Sequence, residues 1–207
     1  PFDENANGFV MGEGCGVLVL KRLRDAVEDD DDIIALIRGC GSASDGAGKG
    51  ITAPNPKGQK LAVRRAYDDA GYGPRSISLY EAHGTSTPIG DPTEFKSTYG
   101  VVSEDGGPAA TNSIAMGSVK SMIGHLKAGA GAASLIKVAS ALRERTLPPT
   151  LNVETPHPEL NIDDTCFHIQ QEAEEWSLDS TLPRRAGISA FGFGGTDYHM
   201  TLEEWDP

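Results

Sequence analysis

The sequence has few cysteines, few aromatic residues, little positive charge and no long apolar run. Its 207 residues include three cysteines and only 6% aromatic residues. The cysteines stand at positions 15, 40 and 166 and form no CxxC pair. We therefore expect neither a disulfide framework nor a cysteine metal site, and this usage favours a reducing compartment, the cytoplasm.

The charge balance excludes two classes of partner. Lys and Arg total 18 against 30 Asp and Glu, a formal net charge of −12. Nucleic acids and anionic membrane surfaces are bound by clustered positive charge, so we expect neither as a partner. The first residues, PFDENANGF, carry no basic or apolar signal region, so no signal peptide is expected. The small apolar stretch 128–142 is too short to span a bilayer.

Strand and helix patterns alternate along the chain. Short apolar runs predict strands over 9–20, 33–40 (a buried one), 77–82, 114–119 and near 166–170. Periodic apolar residues predict helices over 21–28, 59–70 and 126–145. Two β runs, 185–191 and 196–203, end the chain, while 41–58 and 150–165 read as loops. This order favours one α/β layered domain with a mixed sheet.

Two histidines lie at junctions rich in small residues. His83 follows a predicted strand in EAHGTSTPIGDPTE, where Asp91 is predicted to N-cap a helix with Glu94 at its N3 position. His125 lies five residues after Lys120 in GSVKSMIGHLKAGAGAA. Strand ends are where α/β folds place chemistry, and small neighbours let a substrate approach an imidazole. No HExxH, paired-cysteine or EF-hand pattern occurs, so no metal is expected.

Four segments in order give a family resemblance. They are PFDENANGFVMGEGCGVLVLKRL, EAHGTSTPIGDPTE, GSVKSMIGHLKAGAGAASLIK and RRAGISAFGFGGTDYHMTLEE. The chain resembles the β-ketoacyl synthases of the thiolase superfamily, in the polyketide branch. More narrowly, it resembles the ketosynthases of polyunsaturated fatty acid synthases. The resemblance implies a thiolase-like layered fold with a mixed sheet.

The resemblance also implies a reaction, a decarboxylative Claisen condensation. A malonyl thioester on an acyl carrier protein loses CO2, and its enolate attacks an acyl group held on a cysteine. His83 and His125 would stabilise the enolate and Lys120 would orient them. No tightly bound cofactor is implied, because the substrate arrives on the phosphopantetheine arm of the carrier protein.

Further roles follow from the same resemblance. Thr85 and Thr87 match hydroxyls that hold the pantetheine arm. Phe193 matches a gating phenylalanine, and Gly192 and Gly194 beside it belong to the oxyanion-hole loop. The acidic carrier protein would dock on basic residues, for which the candidates are Arg64, Arg65, Arg143, Arg145, Arg184 and Arg185.

The chain departs from the family at its nucleophile. In the family, the cysteine lies upstream of the PFD motif, and the sequence opens inside that motif. Cys15, Cys40 and Cys166 lack the expected small-residue elbow, so each is interpreted as a packing residue. Residues 1–207 are then expected to be the C-terminal portion of a ketosynthase domain, with the N-terminal portion, a second copy in a homodimer and the carrier protein as partners.

Two other interpretations remain open. The chain resembles, less closely, a non-catalytic partner akin to a chain-length factor, or a decarboxylase-only relative. The residue in the upstream elbow distinguishes them, because a cysteine there favours the condensing enzyme. Smaller departures are Asp197 where the family commonly has Asn, Ser86 in place of a Gly, and Ser134 where fatty-acid-type members have a Glu.

Overall fold

The computed structural model describes residues 1–47, 50, 52–105, 110–177 and 182–206. Residues 48, 49 and 51 of the expected loop 41–58 therefore lie outside the described residues. The helices of this part of the chain are α1 (Leu23–Glu28), α2 (Pro56–Ala70), α3 (Gly90–Glu104), α4 (Lys120–Ile123) and α5 (Ala130–Glu144). The strands are β1 (Ala35–Ser44), β2 (Leu79–Glu81), β3 (Ile114–Gly117), β4 (Thr146–Leu147), β5 (Phe167–Ile169), β6 (Glu174–Glu175), β7 (Arg185–Gly192) and β8 (Thr196–Glu204).

A mixed sheet organises the fold. Its six strands run in the order β1-β8-β7-β2-β3-β5. β7, β2, β3 and β5 are mutually parallel, and β8 pairs antiparallel with both β7 and β1. The carboxyl ends of β2, β3 and β7 therefore meet at one edge of the sheet.

Helices cover both faces of this sheet, which agrees with the continuous burial of β2 and β3. On one face α2 and α3 enclose a core that includes Tyr67, Tyr80, Phe95 and Phe167. On the other face α5 packs through Val138 and Leu142 onto Leu79, Ala186, Leu202 and Trp176. The α/β layered fold with a mixed sheet is confirmed.

Local sequence explains where α2 begins and ends. The side chain of Asn55 accepts a hydrogen bond from the Lys57 N–H, and Pro56 occupies the first helical position. Gly71 ends the helix in the left-handed region at φ 75°. The predicted helix 59–70 is thus confirmed, with an earlier start.

The predicted strand over 9–20 is wrong. Its one ladder contact is an isolated bridge between Met11 and His125. Val17 and Val19 are 86% and 95% exposed. An apolar run becomes a strand only when a neighbouring strand accepts its hydrogen bonds, and the described residues offer none beyond Met11.

The prediction of a buried strand over 33–40 also needs correction. β1 lies at the edge of the sheet and continues to Ser44, and Ile37 and Cys40 are not part of the buried core. The interpretation of all three cysteines as packing residues fails for a similar reason. Only Cys166 is buried, whereas Cys15 and Cys40 are exposed.

The other boundaries differ less. The predicted helix 126–145 comprises a short 3-10 turn, Lys127–Gly129, followed by α5. α5 ends at Glu144, and Arg145 follows it in the left-handed region at φ 50°. β5 and the hairpin of β7 and β8 confirm the later predicted strands.

Candidate active site

The loop that carries His83 leaves β2 and is held by two buried carboxylates. The Glu94 carboxylate accepts the backbone N–H groups of His83 and Gly84 at 2.7 and 2.8 Å. Asp91 accepts the N–H of Ser86 at 3.0 Å and that of Phe2 at 2.7 Å. The chain turns sharply here, because Gly84 and Ser86 have φ of 47° and 60°. The two acids thus fix a strained loop through its backbone.

These contacts correct the prediction for Asp91. α3 begins at Gly90 with Ile89 at the N-cap position, and Asp91 lies in the first turn. Its carboxylate points to the histidine loop and to the first residues of the chain. Asp91 and Glu94 are therefore loop anchors and do not form a capping box.

Lys120 and His125 follow β3 at the same sheet edge. Lys120 opens α4 and is buried. The backbone of His125 pairs with the opening segment of the chain, since its N–H donates to Val10 O at 2.8 Å and its carbonyl accepts from Gly12 N at 3.1 Å. The Phe9 ring lies 5.3 Å from the His125 ring. The opening residues of the chain therefore hold His125 in place.

The structure brings the two predicted histidines together. The rings of His83 and His125 meet edge to face, with centroids 5.5 Å apart and planes at 89°. Burial, and then the charges of Lys120 and His125, lower the pKa of His83 well below its usual range. Burial and the same lysine lower the pKa of His125 to about 4. Both imidazoles are therefore neutral at pH 7, and each has one N–H to donate.

A backbone contact fixes the tautomer of His125. Its Nδ1 accepts the N–H of Lys127 at 3.0 Å. A neutral imidazole that accepts at Nδ1 carries its proton on Nε2. The donor of His125 is therefore Nε2–H.

The predicted pantetheine residues lie beside the histidine loop. The hydroxyls of Thr85 and Thr87 are 3.0 Å apart, and Thr87 also accepts the N–H of Gly90. Thr85 and Lys120 line an open cavity of about 490 Å³ together with Phe9 and Met122.

The glycine-rich turn joins β7 to β8 near the histidines. The ring of Phe191, two residues before Phe193, lies 6.2 Å from that of His83. Gly194 and Gly195 have φ of 89° and 75°, a backbone conformation that residues with a side chain adopt only with strain. Phe193 is exposed at the tip of this turn.

Asp197, where the family commonly has Asn, meets a second acid. Burial, and then the charge and hydrogen bond of Asp45, raise the pKa of Asp197 to about 7. The Asp45 N–H donates to the carbonyl of Gly195 at 2.9 Å. This backbone hydrogen bond ties the loop after β1 to the glycine-rich turn.

Glu81 and Lys137 form a buried pair that sequence reasoning missed. Glu81 Oε2 lies 2.6 Å from Lys137 Nζ, and the side chains are 0% and 9% exposed. A charged residue at the end of an apolar strand is unusual unless it is paired, and that signal was available in the sequence.

The six candidate docking arginines do not form a free basic patch. They sit on α2, beside the end of α5 and at the start of β7. Arg65 donates to the carbonyl of Ser42. The other five face carboxylates: Arg64 with Glu104, Arg143 with Asp32, Arg145 with Glu204 and Asp206, Arg184 with Glu204, and Arg185 with Glu203.

Comparison with family models decides the family. Residues 34–154 match the β-ketoacyl synthase C-terminal domain, and residues 1–26 match the N-terminal domain of the same family. The chain belongs to the β-ketoacyl synthase family. Its thiolase-like fold is that of a ketosynthase, as the sequence predicted.

Curated relatives of this ketosynthase chain are large synthases. It is 46% identical over 209 residues to a polyunsaturated fatty acid synthase polypeptide of Thraustochytrium sp., covering 100% of the chain and 7% of the relative. It is 42% identical over 219 residues to polyketide synthase PksN of Bacillus subtilis, covering 100% of the chain and 4% of the relative. The chain thus spans a small part of each.

Solved ketosynthases share its fold. The ketosynthase from module 6 of the bacillaene synthase of Bacillus subtilis 168 matches with a TM-score of 0.95 and 43% identity, over 99% of this chain and 37% of that one. The ketosynthase from module 1 of the Bacillus amyloliquefaciens FZB42 bacillaene synthase matches with a TM-score of 0.89 and 36% identity, over 100% of this chain and 36% of that one.

The structure also bears on two other possibilities, a membrane-spanning helix and a metal site. No helix in the described part of the chain is long and apolar enough to cross a membrane. No group of three or more His, Cys, Asp or Glu side chains is placed there to hold a metal ion.

Proposed function

We propose that this chain supplies the malonyl-binding half of a ketosynthase that condenses an acyl group with malonyl-acyl carrier protein, in polyketide or polyunsaturated fatty acid synthesis. The observation that carries the proposal is the pair of neutral histidines, edge to face at 5.5 Å, beside buried Lys120. Neutral imidazoles donate hydrogen bonds without adding charge, which suits a thioester oxygen that becomes an enolate.

The reaction takes place in two steps. The bond between the malonyl α-carbon and its carboxylate breaks, CO2 leaves, and the electron pair forms an enolate. His83 and the Nε2–H of His125 donate to the enolate oxygen. The α-carbon then attacks the acyl thioester on a cysteine, and the cysteine leaves as a thiolate.

In this proposal the other site residues bind the substrate arm, form the oxyanion hole and gate the acyl pocket. Thr85 and Thr87 hold the phosphopantetheine arm, which belongs to the substrate. The backbone around Gly192, Phe193 and Gly194 forms the oxyanion hole, and the exposed Phe193 side chain gates the acyl pocket. The left-handed φ of Gly194 supports this assignment, because the backbone can approach a thioester closely there.

The nucleophile is proposed to come from a preceding ketosynthase portion. Residues 1–26 match the N-terminal family model, and their run 9–20 is rich in exposed apolar side chains. An open groove of about 740 Å³ continues this surface between Val17–Leu23, Ile33–Ile37 and α5. We propose that the N-terminal portion covers this surface, that the complete enzyme is a cytoplasmic homodimer, and that the acyl carrier protein is its second partner.

Mass spectrometry of the complete protein tests the proposal. The protein is incubated with an acyl thioester, and any adduct is located by peptide mapping. An acyl group on a cysteine before Pro1 supports the condensing enzyme. Absence of any adduct favours the alternatives, a chain-length-factor-like partner or a decarboxylase-only relative. An adduct on Cys15, Cys40 or Cys166 overturns the assignment of this chain as the histidine-bearing half.

A further inference from the structure

Glu81 is a buried carboxylate with contacts on three elements. It ends β2, two residues before His83. Its Oε1 accepts the backbone N–H of Val119 at 2.6 Å and the Ser134 hydroxyl at 3.2 Å. Its Oε2 accepts Lys137 Nζ at 2.6 Å. Glu81 therefore joins β2, the start of α4 and the buried face of α5.

Fold stability alone does not account for these contacts. Removing two charges from water costs about as much as their attraction returns, and apolar replacements of buried ion pairs are often neutral or stabilising. The Val119 contact has another consequence, because Val119 is the residue directly before Lys120. A short bond to that N–H fixes the direction in which the chain enters α4 and hence the position of the Lys120 side chain.

The charges around Lys120 give Glu81 a second effect. Burial lowers the pKa of Lys120, whereas Glu81, Glu94 and Asp91 raise it, in that order, and Lys137 lowers it. Among the acids on β2 and α3 that face the lysine, Glu81 is thus the strongest. It favours the ammonium form against the effect of burial, which lowers the pKa of Lys120.

One contact of the carboxylate is with Ser134 on α5. Ser134 stands where fatty-acid-type members carry a Glu, and here its hydroxyl donates to Glu81. A carboxylate is therefore present beside position 134, but it comes from β2 instead of α5.

We propose that Glu81, held by Lys137 and Ser134, is a positioning residue for Lys120 in the decarboxylation site. This inference rests on the proposed function, since it gives Lys120 a partner in that reaction. Glu81 touches no substrate in this assignment. It acts by fixing the Val119 N–H and by maintaining the charge of Lys120.

The test compares Glu81→Gln, Lys137→Met and the double variant in the complete ketosynthase protein. The double variant removes both buried charges, so it avoids the unpaired lysine that Glu81→Gln leaves behind. Thermal unfolding reports the fold, and CO2 release from malonyl-acyl carrier protein reports the reaction. We expect the double variant to melt higher than Glu81→Gln, with kcat lowered tenfold or more and KM nearly unchanged. The alkaline limb of its pH–rate profile should move to lower pH.

The same substitution made in a protein that lacks Lys120 isolates the contribution of that lysine. In Lys120→Met, the further change Glu81→Gln should produce no additional shift of the alkaline limb. A double variant Glu81→Gln/Lys137→Met with the kcat and pH profile of the wild type would overturn the inference and leave the pair a packing feature. A wild type that releases no CO2 would instead refute the proposed function, so the two failures are distinguishable.

Discussion

Replacement of Glu94 by Gln should disturb the loop that carries His83. Glu94 is buried, and its two oxygens receive the N–H groups of His83 and Gly84 and the Tyr80 hydroxyl, the last at 2.9 Å. An amide has one acceptor oxygen and two N–H donors. When that oxygen serves His83, the amide N–H₂ faces the Gly84 N–H, and one buried donor is left without an acceptor.

The cost follows from that lost acceptor. A buried unsatisfied donor destabilises a fold by about 1–3 kcal/mol. Displacement of a reacting group by about 1 Å lowers a rate by about a hundredfold. We therefore expect Glu94→Gln to lower the free energy of unfolding by about 2 kcal/mol and the decarboxylation rate by about ten- to a hundredfold.

The pH dependence gives a sharper signature. Burial raises the pKa of Glu94 from 4.5 to about 7. A folded-state pKa above the unfolded value means that the folded protein holds this proton more tightly. The stabilisation is complete below about pH 4.5 and is lost as the pH rises through about 7, a change of about 3 kcal/mol. The difference in stability between wild type and Glu94→Gln should therefore be large at pH 5 and small at pH 8.5.

Denaturant unfolding across this pH range, combined with CO2 release, measures both effects in the complete protein. Glu104→Gln is the matched control, because Glu104 ends the same helix and makes an exposed ion pair with Arg64. It should leave the rate and its pH dependence unchanged. A Glu94→Gln protein that loses stability but keeps the full rate would refute the argument that these hydrogen bonds set the position of His83.

Three further changes have expected outcomes. His125→Ala should lower decarboxylation by about a hundredfold or more, and the His125 imidazole should stay neutral down to about pH 4, because burial and Lys120 lower its pKa to about 4; an NMR titration of this ring with a midpoint near 6.5 would contradict this. Asp197→Asn should raise the melting temperature by more at pH 8 than at pH 5, because burial and Asp45 raise the pKa of Asp197 to about 7 and make its charge unfavourable above that pH. Equal stabilisation at both pH values in calorimetry would refute this cause. In the isolated 207-residue chain, Val17→Ser/Val19→Ser should reduce self-association in light scattering, since both valines are exposed, and unchanged scattering would exclude this surface as its cause.

Local sequence signals were sufficient for most of the fold. Asn55, Pro56 and Gly71 delimit α2 by side-chain and backbone chemistry that needs no tertiary partner. The two β runs that end the chain pair through a short glycine-rich turn, and this too is a local event. The sequence also predicted that the site lies at the carboxyl ends of the strands, because His83 and Lys120 each come soon after a parallel strand.

The wrong and missed predictions have a common physical cause. Each depends on a contact between residues that are far apart in the sequence. Residues 9–20 have the pattern of a strand, but strand formation depends on a neighbour that no periodicity reveals. Asp91 has the spacing of a helix cap, yet Phe2, 89 residues away, offers its N–H to that carboxylate. Glu81 and Lys137 are 56 residues apart, so their pairing was visible only once β2 and α5 had packed together.

The buried carboxylates of Asp91 and Glu94 hold the loop that carries His83, and their burial also lowers the free energy of unfolding. Asp91 and Glu94 are desolvated, and burial raises the pKa of each. Both acids accept backbone N–H groups of a loop whose residues Gly84 and Ser86 have positive φ, a conformation that costs free energy unless its surroundings hold it. An ionised carboxylate accepts hydrogen bonds more strongly than a neutral one, so ionisation of these acids fixes the loop more firmly. The same negative charges are buried, and their burial lowers the stability of the fold. Loop order and global stability should therefore respond to pH in opposite directions.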